Sequence, residues 1–118
     1  MAKSLLIISR QSPWSGPAAR EALDIVLAGG AFDLPIGLLF LDDGVLQLAA
    51  AQNAKALQQK DLSANLQALP MFGVEELFYC ADSARSRGLG NLSLDEAQPL
   101  DAEHITALID RYDQVITL

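Results

Sequence analysis

With a single cysteine, Cys80, the chain cannot close an internal disulfide. A lone thiol suits a reducing compartment, so the expected location is the cytoplasm. Histidine is equally scarce, His104 standing alone, and two soft ligands cannot make a self-contained thiolate–imidazole zinc site. No metal is expected. Basic residues are few: eight Lys and Arg stand against fifteen Asp and Glu, a net charge of −7 and a pI near 4.4. Affinity for nucleic acid comes largely from Lys and Arg displacing counterions from phosphates, so direct nucleic-acid binding is not expected.

Long apolar runs are missing as well. The four residues Leu5 to Ile8 are too short for the core of a signal peptide. The stretch Ile36 to Leu41 follows Pro35, contains Gly37, and falls far below the roughly 18 residues of a membrane span. No membrane association is expected. A G-x-x-x-x-G-K-[ST] loop is absent, and Gly88-Leu89-Gly90 does not complete G-x-G-x-x-G because Ser93 occupies the last position. Nucleotide binding by those motifs is unsupported, and no cofactor is expected.

What is present is apolar and alternating. The length of 118 residues suits one domain, 1–118, and 51% apolar residues are enough for a single core. Leu5 to Ile8 reads as a strand covered on both faces. After a polar loop, Arg10 to Gly16, Ser15 can cap a helix with Pro17 in its first turn. Ala19, Ala22, Leu23 and Val26 then lie on one face before Gly29-Gly30, expected to stop the helix.

Pro35 to Leu41 is a second strand that exits at Asp42-Asp43-Gly44. A helix is expected from there, with Val45, Leu46, Leu48 and Ala49, a polar stretch Gln52 to Lys60, and Leu62, Leu66 and Leu69 before Pro70; it reads as one broken helix or two. Val74 to Cys80 is a third strand, and Asp82 to Arg87 a short helical pattern halted by Gly88. Leu89 to Gln98 reads as a connection, with Ser93 and Glu96 as a possible capping box. Asp101 caps a helix carrying Ile105, Leu108 and Ile109, and Gln114 to Leu118 is the last strand. Strands alternating with helices predict right-handed crossovers and a three-layer α/β fold with a parallel sheet, of flavodoxin-like type.

Ligands of such folds lie at the carboxyl ends of the strands. Three segments occupy that edge: Arg10 to Gly16, Asp42-Asp43-Gly44, and Cys80 to Ser83. Asp42 and Asp43 read either as a carboxylate pair for acid–base chemistry or as the residues a turn and a helix dipole select, with Gly44 completing the turn. Trp14 reads either as an aromatic contact for a partner or as a lid on the core. His104, early in the last helix, reads as a solvated helix residue rather than a general base.

Cys80 carries the most chemical meaning. A thiol at a strand's carboxyl end, before a helix, faces backbone N–H groups and a positive dipole end, a setting that favours ionised sulfur. Arg85 and Arg87 can add positive potential, whereas Asp82 opposes it. Persulfide transfer suits this arrangement, since a thiolate attacks a donor sulfur and later leaves. An inert buried thiol is the competing reading.

The segments Ala19-Arg20-Glu21-Ala22-Leu23-Asp24, Phe40-Leu41-Asp42-Asp43-Gly44-Val45-Leu46-Gln47-Leu48, Lys60-Asp61, Cys80 to Leu89 and Tyr112-Asp113-Gln114-Val115-Ile116 together resemble the TusC/DsrF family. Leu46, Leu62 and Leu118 stand where that family often has an aromatic residue, and Asp82 where it often has a small one. The resemblance implies a DsrEFH-like domain within a sulfur-relay complex of the TusBCD type. It also implies TusB-like and TusD-like sister subunits in a heterohexamer with two copies of each. Sulfur would move through a TusE-like carrier toward 2-thiolation of the tRNA wobble uridine. The essential cysteine is expected in the TusD-like sister, at a strand end that looks equivalent to Cys80, so this chain is expected to be mainly a non-catalytic interface subunit. Two alternatives are a stand-alone thiol sulfurtransferase using Cys80 and a binding module for a small anion at Arg10 to Gly16.

Overall fold

The structure, a computed structural model, describes residues 3–12, 17–48, 68–89 and 97–118. Five parallel strands form one sheet: β1 (Leu5–Ser9), β2 (Ile36–Phe40), β3 (Glu76–Cys80), β4 (Gln98–Leu100) and β5 (Gln114–Thr117), in the order β4-β3-β2-β1-β5. The helices are α1 (Ala18–Ala31), α2 (Ala81–Ser86) and α3 (Ala102–Arg111), with 3-10 helices at Asp42–Leu48 and Leu69–Phe72.

Strand order and crossover hand together decide which face each helix covers. From β1 to β4 the chain steps outward in one direction, and from β4 it returns across the sheet to place β5 beside β1. A right-handed crossover that reverses direction must change face. Accordingly α1 packs Ala19, Ala22, Leu23 and Val26 onto Ile7, Ile36, Leu38, Phe40 and Leu77, while α3 packs Ile105 and Leu108 onto Leu6, Ile8, Leu39, Phe78 and Cys80 on the other face. Every residue of β2 is buried, which accounts for its unbroken apolar run. Truncating one of these fully buried leucines, such as Leu39, removes about 2–5 kcal/mol of stability.

Four expectations are corrected. Gly29 and Gly30 do not end α1, which runs on to Ala31. They are buried where the helix presses on its neighbours: a Cβ at Gly29 would lie 2.9 Å from the Ile36 side chain, and one at Gly30 would lie 2.8 Å from the Phe72 carbonyl oxygen. Close packing, not termination, selects them. Pro17 takes the N-cap position, just outside the first turn.

The segment after Asp43 begins as a 3-10 helix rather than an α-helix. Its backbone is drawn against β1, a Cβ on Gly44 overlapping the Ser9 carbonyl oxygen. Finally, Gln98–Leu100 is a strand. Its three residues, with Pro99 at the centre, are too short for a periodic signal. The expected features at Ser15, Ala49, Gln52 to Lys60, Leu62, Leu66, Ser93 and Glu96 lie outside the described residues.

Candidate functional site

The carboxyl ends of β1, β2 and β3 meet at one rim, and the loops leaving them are tied together by side chains. The lowest layer is buried and neutral. Ser9, which ends β1, is 1% exposed and Gln47 is 3% exposed. The Gln47 amide donates to Ser9 Oγ at 2.7 Å and to the Gln11 carbonyl at 3.0 Å, joining the first and second crossovers. A buried amide without such acceptors would cost about 1–3 kcal/mol.

Above it lies the turn after β2. Leu41 N–H donates to the Ser9 carbonyl, and Gly44 N–H to Leu41. Asp42 sits at φ 53°, in the left-handed region that a short polar side chain tolerates better than most. Three contacts hold it there. Its N–H donates to Ser83 Oγ at 3.1 Å, and its carboxylate takes the Arg10 guanidinium, Nε to Oδ2 at 2.8 Å and the terminal nitrogen at 2.6 Å. Asp43 turns the other way and accepts from Arg87 Nε at 2.9 Å. The two carboxylates are thus divided between two arginines on different loops.

Ser83 is the junction of the rim, and it is 8% exposed. Besides receiving the Asp42 N–H, it accepts Arg87 at its carbonyl oxygen at 3.2 Å and donates its own N–H to Cys80 Sγ at 3.4 Å. Cys80 is therefore the N-cap of α2, its sulfur in the place of the usual Ser or Asp oxygen. Alternation along β3 sends the Cys80 side chain to the α3 face, where it is 7% exposed and belongs to the same cluster as Phe78, Ile105 and Leu108. Leu41, Leu100 and Ile109 pack partly against that cluster.

The structure thus gathers Asp42, Asp43, Gly44, Cys80 and Arg87. Asp82 and Arg85 pair with each other at 3.1 Å on the exposed side of α2, at 61% and 76% side-chain exposure, and join neither Asp42 nor Asp43. Trp14 lies outside the described residues. His104 stands on α3, its Nδ1 2.7 Å from the Asp101 carboxylate that also accepts its backbone N–H at 2.9 Å. That carboxylate raises the His104 pKa above 6.5.

Arg10 and Ser83 fall within the edge segments that the sequence points to, whereas Ser9 and Gln47 lie outside them. Gln47 interrupts the apolar run Val45 to Leu48 with a polar residue, the signal that marks a buried partner, whereas Ser9 merely ends a run and carries no such signal. Among the described residues no group of three His, Cys, Asp or Glu side chains could hold a metal ion. No helix there is long and apolar enough to cross a membrane.

Fold and rim together define a class: a small parallel α/β protein whose carboxyl-edge loops are clamped over one strand-end thiol. The sequence matches the DsrE/DsrF-like family across residues 3–118, and the chain belongs to that family. It is 66% identical to the protein TusC homolog of Pseudomonas aeruginosa over 119 aligned residues, covering 100% of both chains. It is 37% identical to the intracellular sulfur oxidation protein DsrF of Allochromatium vinosum over 86% of this chain and 74% of that one. Against protein TusC of Shigella flexneri it is 31% identical, covering 97% and 98%. In three dimensions it resembles the crystal structure of the ychN protein from E. coli, with a TM-score of 0.75, 16% identity and full coverage of both chains. That likeness supports the fold alone.

Proposed function

We propose that this chain is a subunit of a sulfur-relay complex that passes persulfide sulfur toward 2-thiouridine at the tRNA wobble position. Its main role is to supply frame and interface to a sister subunit's active cysteine. TusB-like and TusD-like sisters assemble with it in the cytoplasm as a heterohexamer with two copies of each, and a TusE-like carrier receives the sulfur. Relatives named TusC and DsrF at 66%, 37% and 31% identity support the relay reading. The acidic balance of the chain is compatible with handing sulfur to protein partners rather than gripping tRNA phosphates.

The observation that carries the interface role is the state of Cys80. The residue is 7% exposed and packed in the α3-side core, and its sulfur is engaged as a helix cap by the Ser83 N–H. A relay cysteine must reach a donor persulfide. Its thiolate attacks the outer sulfur, the donor's S–S bond breaks, the donor leaves as a thiolate, and a new persulfide remains on the acceptor. For Cys80 that step requires the α3-side packing or the α2 cap to give way.

Intact-protein mass spectrometry on the chain co-purified with its sisters, after loading with a cysteine desulfurase, its sulfur adaptor and cysteine, tests the reading. Stoichiometric co-purification with the mass of sulfur on a sister subunit is the expected result. Cys80→Ser is expected to leave assembly intact and sulfur flux little changed. Sulfur gained at Cys80, with thiolation abolished in Cys80→Ser, would instead make this chain a sulfurtransferase in its own right.

A further inference from the structure

Cys80 is covered from two sides, and the two covers differ greatly in strength. On one side stands α3, whose Ile105 and Leu108 are 8% and 3% exposed and share a core cluster with Leu6, Ile8, Leu39 and Phe78. Lifting α3 away would unpack that whole face of the sheet. On the other side stands α2, six residues long, with Ser83 and Ala84 as its buried residues. A helix so short has no stability of its own in water, so its place is set by what fastens it.

Its two ends are fastened differently. At the carboxyl end Gly88 takes φ 68°, its N–H donates to the Arg85 carbonyl, and the Leu89 N–H reaches back to the Ala84 carbonyl. This is a Schellman closure, with Leu89 packed partly against the α1-side core. At the amino end the cap is one N–H to sulfur contact of 3.4 Å, and sulfur is a weak acceptor. Two further ties run from Ser83 to the turn after β2. The Asp42 N–H donates to Ser83 Oγ, and Arg87 bridges the Ser83 carbonyl to the Asp43 carboxylate. The Arg87–Asp43 pair is the outermost, its side chains 29% and 60% exposed. The turn is itself under strain, because a non-glycine residue keeps a φ of 53° only while its surroundings enforce it. Releasing the ties lets Asp42 relax and the first turn of α2 fray, and the sulfur then loses its cap N–H and its cover on that side.

We infer that the Asp42-Asp43 turn, acting through Ser83 and Arg87, is a strap that holds the first turn of α2 closed over Cys80, and that the thiol is reached by local opening of α2 rather than by parting of α3 from the sheet. Arg87 is a positioning residue in this arrangement, since it acts on the sulfur only through Ser83. The inference concerns access to the thiol and does not rest on the sulfur-relay reading.

The rate at which dithiodipyridine, an uncharged disulfide, reacts with Cys80 in the full chain measures that access. The Cys80 sulfur attacks one reagent sulfur, the reagent's S–S bond breaks, a mixed disulfide forms on Cys80, and the released thiopyridone, which takes up the thiol's proton, is followed by absorbance. Arg87→Gln, which cuts the tie to Asp43 and loosens Ser83, is expected to speed labelling about fivefold. Arg85→Gln removes the same charge from α2 but only the exposed pair with Asp82, and is expected to leave the rate unchanged or lower. The sign discriminates, because losing a positive charge near a thiol disfavours its ionised, reactive form and by itself slows the reaction. Ser83→Ala, which removes the acceptor of the Asp42 N–H and keeps the cap N–H, is expected to speed labelling as well. The dependence of the rate on low urea separates local from global opening. Its slope is expected to be a small fraction of the equilibrium unfolding slope, in the parent and in Arg87→Gln alike, because opening one short helix exposes little surface. That comparison keeps the test valid where a variant is less stable. Labelling that Arg87→Gln leaves unchanged or slows, an equal acceleration by Arg85→Gln, or a urea slope equal to that of global unfolding would overturn the proposal. None of these readouts depends on sulfur transfer, which the loading experiment judges separately.

Discussion

The two ends of the sheet solve the same problem by different means. At the amino end the polar contacts among the described residues serve the last crossover. Ser4 and Asp113 exchange hydrogen bonds through backbone and side chain, and the Tyr112 hydroxyl donates to Glu76 at 3.0 Å with Arg111 alongside. They fasten the end of α3 and the start of β5 to β1 and β3. At the carboxyl end three separate crossovers are bound to one another, with neutral contacts below, one buried (Ser9–Gln47) and one half-buried (Asp42–Ser83), and exposed ion pairs above. One end locks a single connection; the other coordinates several loops around a thiol. A parallel sheet makes this division natural, since each strand ends at one rim and its following loop is free to vary there.

Glycine substitutions separate the two ends most sharply. Neither Gly44 nor Gly37 has a positive φ, so alanine at either tests contact alone. At the carboxyl rim a Cβ on Gly44 meets the backbone of Ser9 and Arg10, which cannot swing aside. At the amino rim a Cβ on Gly37 meets the Tyr112 hydroxyl, the far end of a side chain. Gly44→Ala is expected to cost about 3 kcal/mol and Gly37→Ala about 1–2 kcal/mol, read as urea midpoints at constant slope. Equal losses would mean that the rim backbone yields as easily as a side chain.

The next contrast is between buried and half-buried polar contacts. Gln47→Ala strands Ser9 Oγ in the interior and is expected to cost roughly 1–3 kcal/mol. Tyr112→Phe leaves only one oxygen of Glu76, a residue exposed enough to rehydrate, and is expected to cost about 1 kcal/mol or less. If the tyrosine variant is the weaker, the amino-end network is the more desolvated of the two.

Much of this is legible in the sequence, and the illegible part has a physical pattern. The strands β1, β2 and β3 announce themselves as apolar runs because a sheet covered on both faces demands them. The α3 cap is legible because Asp101 stands three residues before the N–H it accepts. β4 is hidden because three residues carry no period, and Gly29-Gly30 misleads because close helix packing and helix termination select the same residue. At the rim Asp42, Asp43 and Cys80 stand out by chemistry alone. Their partners Arg10, Ser83 and Arg87 lie 32, 41 and 44 residues from the aspartates they meet, and Gln47 38 residues from Ser9, separations that no local pattern reports.

Titration offers the finest comparison, because each end holds a group shifted upward for a different reason. Burial, before its bond to Glu76, pushes the Tyr112 hydroxyl above its ordinary 10.0. His104, fully exposed, is raised above 6.5 by its hydrogen bond to Asp101 and then by that residue's charge, while the His104 N–H holds the Asp101 carboxyl below 3.8. The raised His104 pKa contributes stability that is complete below pH 6.5 and is lost as pH rises from there through the raised folded-state value; the lowered Asp101 pKa contributes stability that is complete above pH 3.8 and is lost as pH falls from there through the lowered folded-state value. Both contributions are therefore complete only between those values. NMR titration of the His104 ring is expected to give a pKa that falls toward 6.5 in Asp101→Asn, and toward it also in high salt, which screens exposed charges. The Tyr112 hydroxyl, followed by ultraviolet absorbance, is expected to move little with salt because desolvation is not screened. A salt-insensitive His104 would place its pair in a drier setting than its exposure allows, and the two ends would then differ in connectivity alone.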